Sequence, residues 1–360
     1  MTGTPLGQHL HRLIAAHGPI SVARFMAEAL GNPEHGYYMT RDPFGAAGDF
    51  VTAPEVSQMF GELIGAWCAD LWQQMGEPGP VRLVELGPGR GTLLSDALRA
   101  TRRIPRFHDS LDLHLVETSP LLRDRQAAAL SGYAAHWHAT ADSVPDGPAI
   151  IVANELFDAL PVHQYQFADG TWHERLIDIV QDETGFRFVL DPGSAKLPEL
   201  ETFEDPPVHA IAEVSPAALV LARQLASRVA RWGGAVLIVD YGYDRPGLGD
   251  TVQGVRAHRA QDILSAPGTV DICAHVDFTA LDRAGRSGGA GVWGPVPQGD
   301  FLAQLGIAAR AEALATAATG DRTAIAAATH RLTDPSQMGT LFKVLAFASA
   351  GLAPAGFATP

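Results

Sequence analysis

Three alternating glycines and a scatter of loop carboxylates are the residues in this chain whose types and spacing can do chemistry. Gly87, Gly89 and Gly91 follow the apolar run Val81–Leu86 and precede apolar residues at helical spacing. Lacking Cβ atoms, they let a ligand approach the backbone and meet its N–H groups at close range. The spacing is GxGxG, with Thr92 where a dinucleotide fingerprint needs its third glycine, so a pyrophosphate over the helix start is not expected. Glu85 sits inside the same motif. Glu117 closes the alternating run Leu111–Val116, where an adjacent parallel strand would end beside the glycine turn and a carboxylate can accept two ribose hydroxyls. The plain alternatives are a strand-to-helix turn with no ligand and, for Glu117, a cap for the helix starting near Ser119.

Carboxylates recur in later loops. Asn154 and Glu155 follow a further apolar strand and can hold a substrate nitrogen, and Asp158, three residues on, faces the same side if the segment makes a helical turn. An Asx-type turn before Pro161 explains the same residues without function. Asp240, in Asp-Tyr-Gly-Tyr after the next strand, occupies a similar position. Glu213 either contacts substrate or simply precedes a helix capped by Ser215. Asp49, in a glycine-rich loop with Tyr37 and Tyr38, is a candidate for closing over a cofactor. Thr52 and Glu55 nearby have capping-box spacing, which already accounts for them. His136 and His138 share one face of a strand, but no acidic or Cys partner lies close in sequence, so no metal site is expected.

The elements that must position these residues alternate. From residue 81 the pattern runs strand to Leu86, helix over Leu93–Leu98, strand to Glu117, helix over Leu121–Leu130 and strand over Ala149–Ala153. A helix over Pro216–Val229 and strands over Ala235–Val239 and Leu341–Phe347 resume it later. This is a doubly wound α/β pattern, in which ligands bind at the carboxyl ends of the strands. An antiparallel hairpin at 162–180 turns at Asp169-Gly170, with another strand at Phe186–Leu190. Glycine and proline crowd residues 244–300, which read as a second insertion. Residues 1–80 read as a helical region with a lid at 31–50, and 81–360 as a cofactor-binding core with insertions at about 160–210 and 244–300. A helix starting at Thr52 buries Phe60, Leu63, Ile64, Trp67 and Leu71 on one face.

Composition narrows the class. The 360 residues are 46% hydrophobic, enough for a large core, and the net charge of −14 argues against a grip on nucleic acid. Lys196 and Lys343 are the only lysines, which leaves little room for Schiff-base chemistry, and Cys68 and Cys273 make no disulfide framework. Arg12, His17 and Arg24 interrupt the N-terminus, which lacks the layout of a targeting peptide. A cytoplasmic protein without membrane insertion is the default.

The GxGxG turn resembles the first motif of class I S-adenosylmethionine (SAM) methyltransferases. Longer motifs make the resemblance specific: EHGYYM (34–39), GDFVTAPEVSQMFG (48–61), ELGPGRG (85–91), NELFDALP (154–161), DYGY (240–243) and PGTVDICAHVDF (267–278). In this order the chain is identified as a member of the MidA-like methyltransferases, a family that includes a mitochondrial protein-arginine methyltransferase assisting complex I assembly. The resemblance implies a class I Rossmann-like fold, SAM as cofactor, and symmetric dimethylation of an arginine in a protein partner, a respiratory complex I subunit. It implies cofactor contacts from Glu85, Gly87, Gly89, Gly91, Glu117, Asn154 and Asp49. Glu155, with Asp158 or Glu213, would then clamp the guanidinium and take its proton. A small-molecule or lipid methyltransferase on the same scaffold and a SAM-binding assembly factor with little catalysis are the competing readings.

Overall fold

A computed structural model describes residues 3–45, 48–180, 185–317 and 321–358. Residues 46 and 47 of the expected lid lie outside the described residues. The chain separates into two compact units, each gathered from three segments. The sheet unit comprises Val51–Phe157, Val220–Asp244 and Val276–Pro360, and the inserted unit Met1–Phe50, Asp158–Leu219 and Arg245–His275.

Seven strands build the main sheet of the sheet unit: β1 (Val81–Leu86), β2 (Leu111–Val116), β3 (Ala135–His138), β4 (Ala149–Asn154), β5 (Gly234–Tyr243), β6 (Gly291–Pro297) and β7 (Phe342–Ala348). Their order is β3-β2-β1-β4-β5-β7-β6, with β1 to β5 parallel and β7 antiparallel to both neighbours. Val276–Asp277 adds a short parallel pair at the end of β5. Every residue of β4 and β7 is buried, and apart from Asn154 and Lys343 both are apolar runs without alternation, as strands covered on both faces are. The order reverses between β1 and β4, the point in such a sheet where loops part and a ligand can enter.

Register decides what gathers there. Leu86 lies beside Val116 on one side and Ala153 on the other, and Asn154 lies beside Val239. The next residues, Gly87, Glu117, Asn154 and Asp240, therefore follow from one row at the carboxyl edge.

The expected division at residue 80 is not where the chain divides. Helix α1 (Gln58–Gln74) packs on α2 (Thr92–Thr101) within the sheet unit because Phe60, Leu63, Ile64, Trp67 and Leu71 share a core with Leu93, Leu94 and Leu98. Gly61 and Gly65 bring the two backbones together. A Cβ on Gly65 would stand 2.7 Å from the Cα of Ala97. Truncating Trp67 to Ala in this core would cost about 3–5 kcal/mol.

The second insertion is also shorter than 244–300. Only Arg245–His275 joins the inserted unit, while Phe278–Ser287 forms a helix and Gly291–Pro297 is β6 of the main sheet. Glycine and proline disguised an edge strand, where a missing N–H does no harm.

In the inserted unit, helices Pro5–His17 and Val22–Gly31 are capped by Thr4 and Ser21 and bury Leu6, Leu10, Ile14, Phe25 and Met26. Thr171–Ile179 pairs with Ile20–Ser21, His163–Ala168 and Phe186–Leu190 in a five-stranded sheet completed by Ile211–Val214. The hairpin turns at Asp169 and Gly170, both at positive φ, as a two-residue Asp-Gly turn requires.

Candidate active site

The glycine loop is held open by backbone geometry. Gly87, Gly89 and Gly91 have φ of 64°, 53° and 80°, left-handed values that other residues adopt only under strain. The Gly87 N–H donates to the carbonyl of Val116 (3.0 Å), and a Cβ on Gly87 would meet the Leu156 side chain at 3.0 Å. Gly91 is the N-cap of α2 and gives it no side-chain cap.

Around this loop stand polar groups with unequal hydrogen bonding. Glu85 is 4% exposed and accepts a bond from the backbone of Leu94, while its Oε2 has no partner among the described residues. Burial pushes its carboxyl up to about 8. Asn154, also buried, donates through Nδ2 to Glu155 (3.2 Å), and its Oδ1 has no partner among the described residues. Glu117 accepts from the backbone N–H of Ser119 (2.8 Å) and from the Gln126 amide (3.1 Å). Burial raises its pKa, opposed by those bonds.

Glu155 has φ 49°, rare for a residue with a side chain. Its N–H donates to Val239 (2.9 Å) and its Oε1 accepts from the N–H of Ala53 (3.0 Å). The segment before α1 thus touches the loop after β4. It touches the glycine loop too, because Glu55 accepts from the Thr92 hydroxyl (2.5 Å) and lies 3.8 Å from Arg90. The capping box is therefore not formed. Thr52 makes no side-chain cap, Ala53–Val56 is a single turn, and α1 starts anew behind Ser57. Asp240 is fully buried and accepts from the N–H groups of Phe157 and Tyr241, both at 2.9 Å.

The other candidates lie in the inserted unit. Asp158 is in a 3-10 turn, Phe157–Ala159, at the unit boundary, and its carbonyl accepts from Ala274 (2.9 Å). Glu213 accepts from Gln164 (2.8 Å) and from the N–H groups of Thr251 (2.9 Å) and Val252 (3.2 Å), and also from the Thr251 hydroxyl. Asp49 accepts from the Tyr37 hydroxyl (2.7 Å) and the Ala257 N–H (2.8 Å).

His136 and His138 have partners that sequence proximity hid, because they come from β2. His114 Nδ1 is 2.9 Å from His138, and Asp112 is 3.0 Å from His114 and 3.6 Å from His136. Among the described residues no group of three or more His, Cys, Asp or Glu could hold a metal ion. No helix among them is long and apolar enough to cross a membrane. Asp277 caps the helix Phe278–Ser287 through the N–H of Ala280 (3.0 Å). Gln126 escaped notice in the sequence, where its one signal is a polar residue four positions after buried Leu122 on the helix Pro120–Ala129.

A family model described as "Putative S-adenosyl-L-methionine-dependent methyltransferase" matches residues 63–296, well over half of the chain. The chain belongs to this family. The methyltransferase is 40% identical to the protein arginine methyltransferase NDUFAF7 homolog, mitochondrial, of Drosophila melanogaster, over 95% of this chain and 84% of that one. It is 39% identical to protein arginine methyltransferase NDUFAF7, mitochondrial, of Homo sapiens, over 86% of this chain and 75% of that one. Among solved structures, a superfamily member from Burkholderia thailandensis bound to S-adenosyl-homocysteine is 30% identical, with a TM-score of 0.87 over 98% of this chain and 93% of that one.

The strand order of the methyltransferase is that of the class I fold, as expected, and SAM is the donor its family uses. Its residues fit that ligand. A glycine turn free of Cβ atoms leaves room for it, and the oxygens of Glu85 and Asn154 that have no partner among the described residues are acceptors such as an ammonium group seeks. The cytoplasmic default is corrected by these comparisons, since the fly and human relatives are named mitochondrial. Composition does not separate those compartments.

Proposed function

We propose that this methyltransferase acts on an arginine of a protein substrate, that the substrate is a respiratory complex I subunit, and that the product is symmetric dimethylarginine supporting assembly. The observation that carries the reading is the 40% identity, over 95% of the chain, to a relative named protein arginine methyltransferase. Bound SAM supplies an electrophilic methyl group on a sulfonium.

In this reading Gly87, Gly89 and Gly91 present backbone N–H groups to the cofactor, Glu117 accepts its ribose hydroxyls, and Glu85 and Asn154 receive its amino-acid end. Glu155 does the work on the substrate. A guanidinium stays protonated near neutral pH, so the task is to orient one terminal nitrogen and receive the proton it loses. A carboxylate held in a strained backbone conformation, anchored through Ala53 and Asn154, suits both tasks. Glu213 carries four protein donors, so we assign it to holding the 250–252 segment. Asp49 is assigned similarly to the Tyr37 and Ala257 contacts, and Asp158 is the second candidate for the guanidinium.

The test offers purified complex I subunits, one at a time, to the enzyme with SAM, and maps methylated residues by mass spectrometry. Methylarginine on one subunit, absent with Glu155→Gln and reduced with Asp158→Asn, is expected. Methyl transfer to lipids or small molecules instead would overturn the reading, as would assembly of complex I supported equally by an inactive, SAM-binding variant.

A further inference from the structure

Gln126 is completely buried on the inward face of the helix Pro120–Ala129, where only Leu122 is otherwise buried. A polar side chain in such a place must have its hydrogen bonds met within the protein. All of them are met, and the partners are informative. Nε2 donates to the carbonyl of Gly89 (2.8 Å) and to Oε2 of Glu117 (3.1 Å), and Oε1 accepts from the indole N–H of Trp137 (2.9 Å). The two amide hydrogens thus have two acceptors. Because an indole only donates, Trp137 forbids the flipped amide, which would set the Gln126 oxygen against a carbonyl and a carboxylate. A separate contact points to the same junction, since a Cβ on Gly91 would stand 3.3 Å from the Cα of Gln126.

The geometry points to Gln126 as a positioning residue that sets the glycine loop and the Glu117 carboxylate in one fixed relation, and thereby aims Glu117 at the ribose of the methyl donor. The inference rests on the ribose role proposed for Glu117. Ser119 donates to Oε1 and Gln126 to Oε2, and the Thr118 backbone is a third donor to this carboxylate, which leaves it acceptor capacity for a ribose hydroxyl. Trp137 acts one step further out, by locking the amide.

The test compares S-adenosylhomocysteine with its 2′,3′-dideoxy analogue by calorimetry on the intact protein. Wild type should prefer the hydroxylated ligand by about tenfold or more. Gln126→Leu should weaken S-adenosylhomocysteine about tenfold and leave the analogue within about threefold, so that the preference collapses. Trp137→Phe, which keeps a ring in place, should shift the preference in the same direction by a smaller factor, and carries the test alone if Gln126→Leu does not fold. Equal weakening of both ligands, or an unchanged preference in the folded variants, would overturn the inference by reducing Gln126 to a packing residue. Glu117→Gln separates the two levels. If that variant keeps the wild-type preference, the ribose reading itself fails. If it loses the preference while both outer variants keep it, only the role of Gln126 fails.

Discussion

Glu85 and Glu213 are both strand glutamates drawn away from water, and they end in opposite conditions. In the sheet unit, Glu85 has one bond from Leu94 and an oxygen with no partner among the described residues, and its carboxyl is pushed up to about 8. In the inserted unit, Glu213 meets four donors from Gln164, Thr251 and Val252, which oppose the upward push of burial. A protein that saturates a carboxylate is using it to hold chain segments together. One that leaves buried acceptors unfilled beside a glycine turn, as at Glu85 and Asn154, retains capacity for something else. The residue type alone says little, and the distribution of donors around it separates a tie from a site.

The contrast can be broken most forcefully at Glu155. Glu155→Gln should lower methyl transfer by about 10²–10³-fold while S-adenosylhomocysteine still binds. Loss of binding in parallel would move Glu155 to the cofactor side. Glu117→Gln should weaken S-adenosylhomocysteine by about 10–100-fold, read by calorimetry, with the melting temperature of the ligand-free protein nearly unchanged. Glu213→Gln should do the reverse, costing about 1.5–3 kcal/mol in denaturant unfolding and leaving ligand affinity alone. A stable Glu213→Gln protein with poor turnover would dissolve the distinction between the units.

A further effect concerns pH. Because the folded-state pKa of Glu85 lies near 8, above the ordinary 4.5, the folded protein keeps a proton there that the unfolded chain has lost. Stability of the ligand-free protein should therefore fall as pH rises across that interval, and level off above it. Glu85→Gln should flatten the slope of melting temperature against pH. An unaltered slope would mean that Glu85 is ionised in the native protein.

Features decided by neighbours in the chain could be read directly from the sequence. The glycine turn, the strand at Leu111–Val116 and the Asp169-Gly170 hairpin are local, and the structure forms each, although His114 is buried with Leu113 and Leu115 rather than alternating with them. Features decided by distant partners could not. Glu55 has the spacing of a capping box, yet its carboxylate reaches Thr92, 37 residues away. β6 contains Gly291, Gly294, Pro295 and Pro297 and a register shift between Trp293 and Val296, so its strand formers Val292, Trp293 and Val296 are outnumbered by turn residues. β7 makes it one by pairing with it. Gln126 looked like an ordinary helix residue because its partners Gly89, Glu117 and Trp137 come from three other segments. Among the candidate carboxylates, position after a strand was legible, whereas the number of donors each would meet was not.

The central claim is transfer of a methyl group to protein arginine. The purified enzyme should be incubated with SAM labelled on its methyl group and an extract of cells that lack the enzyme, after which the proteins are separated, hydrolysed and searched for labelled amino acids. The account predicts label in dimethylarginine from a single protein band. Measurable SAM binding with no labelled protein, or label confined to lipids and small molecules, would contradict it.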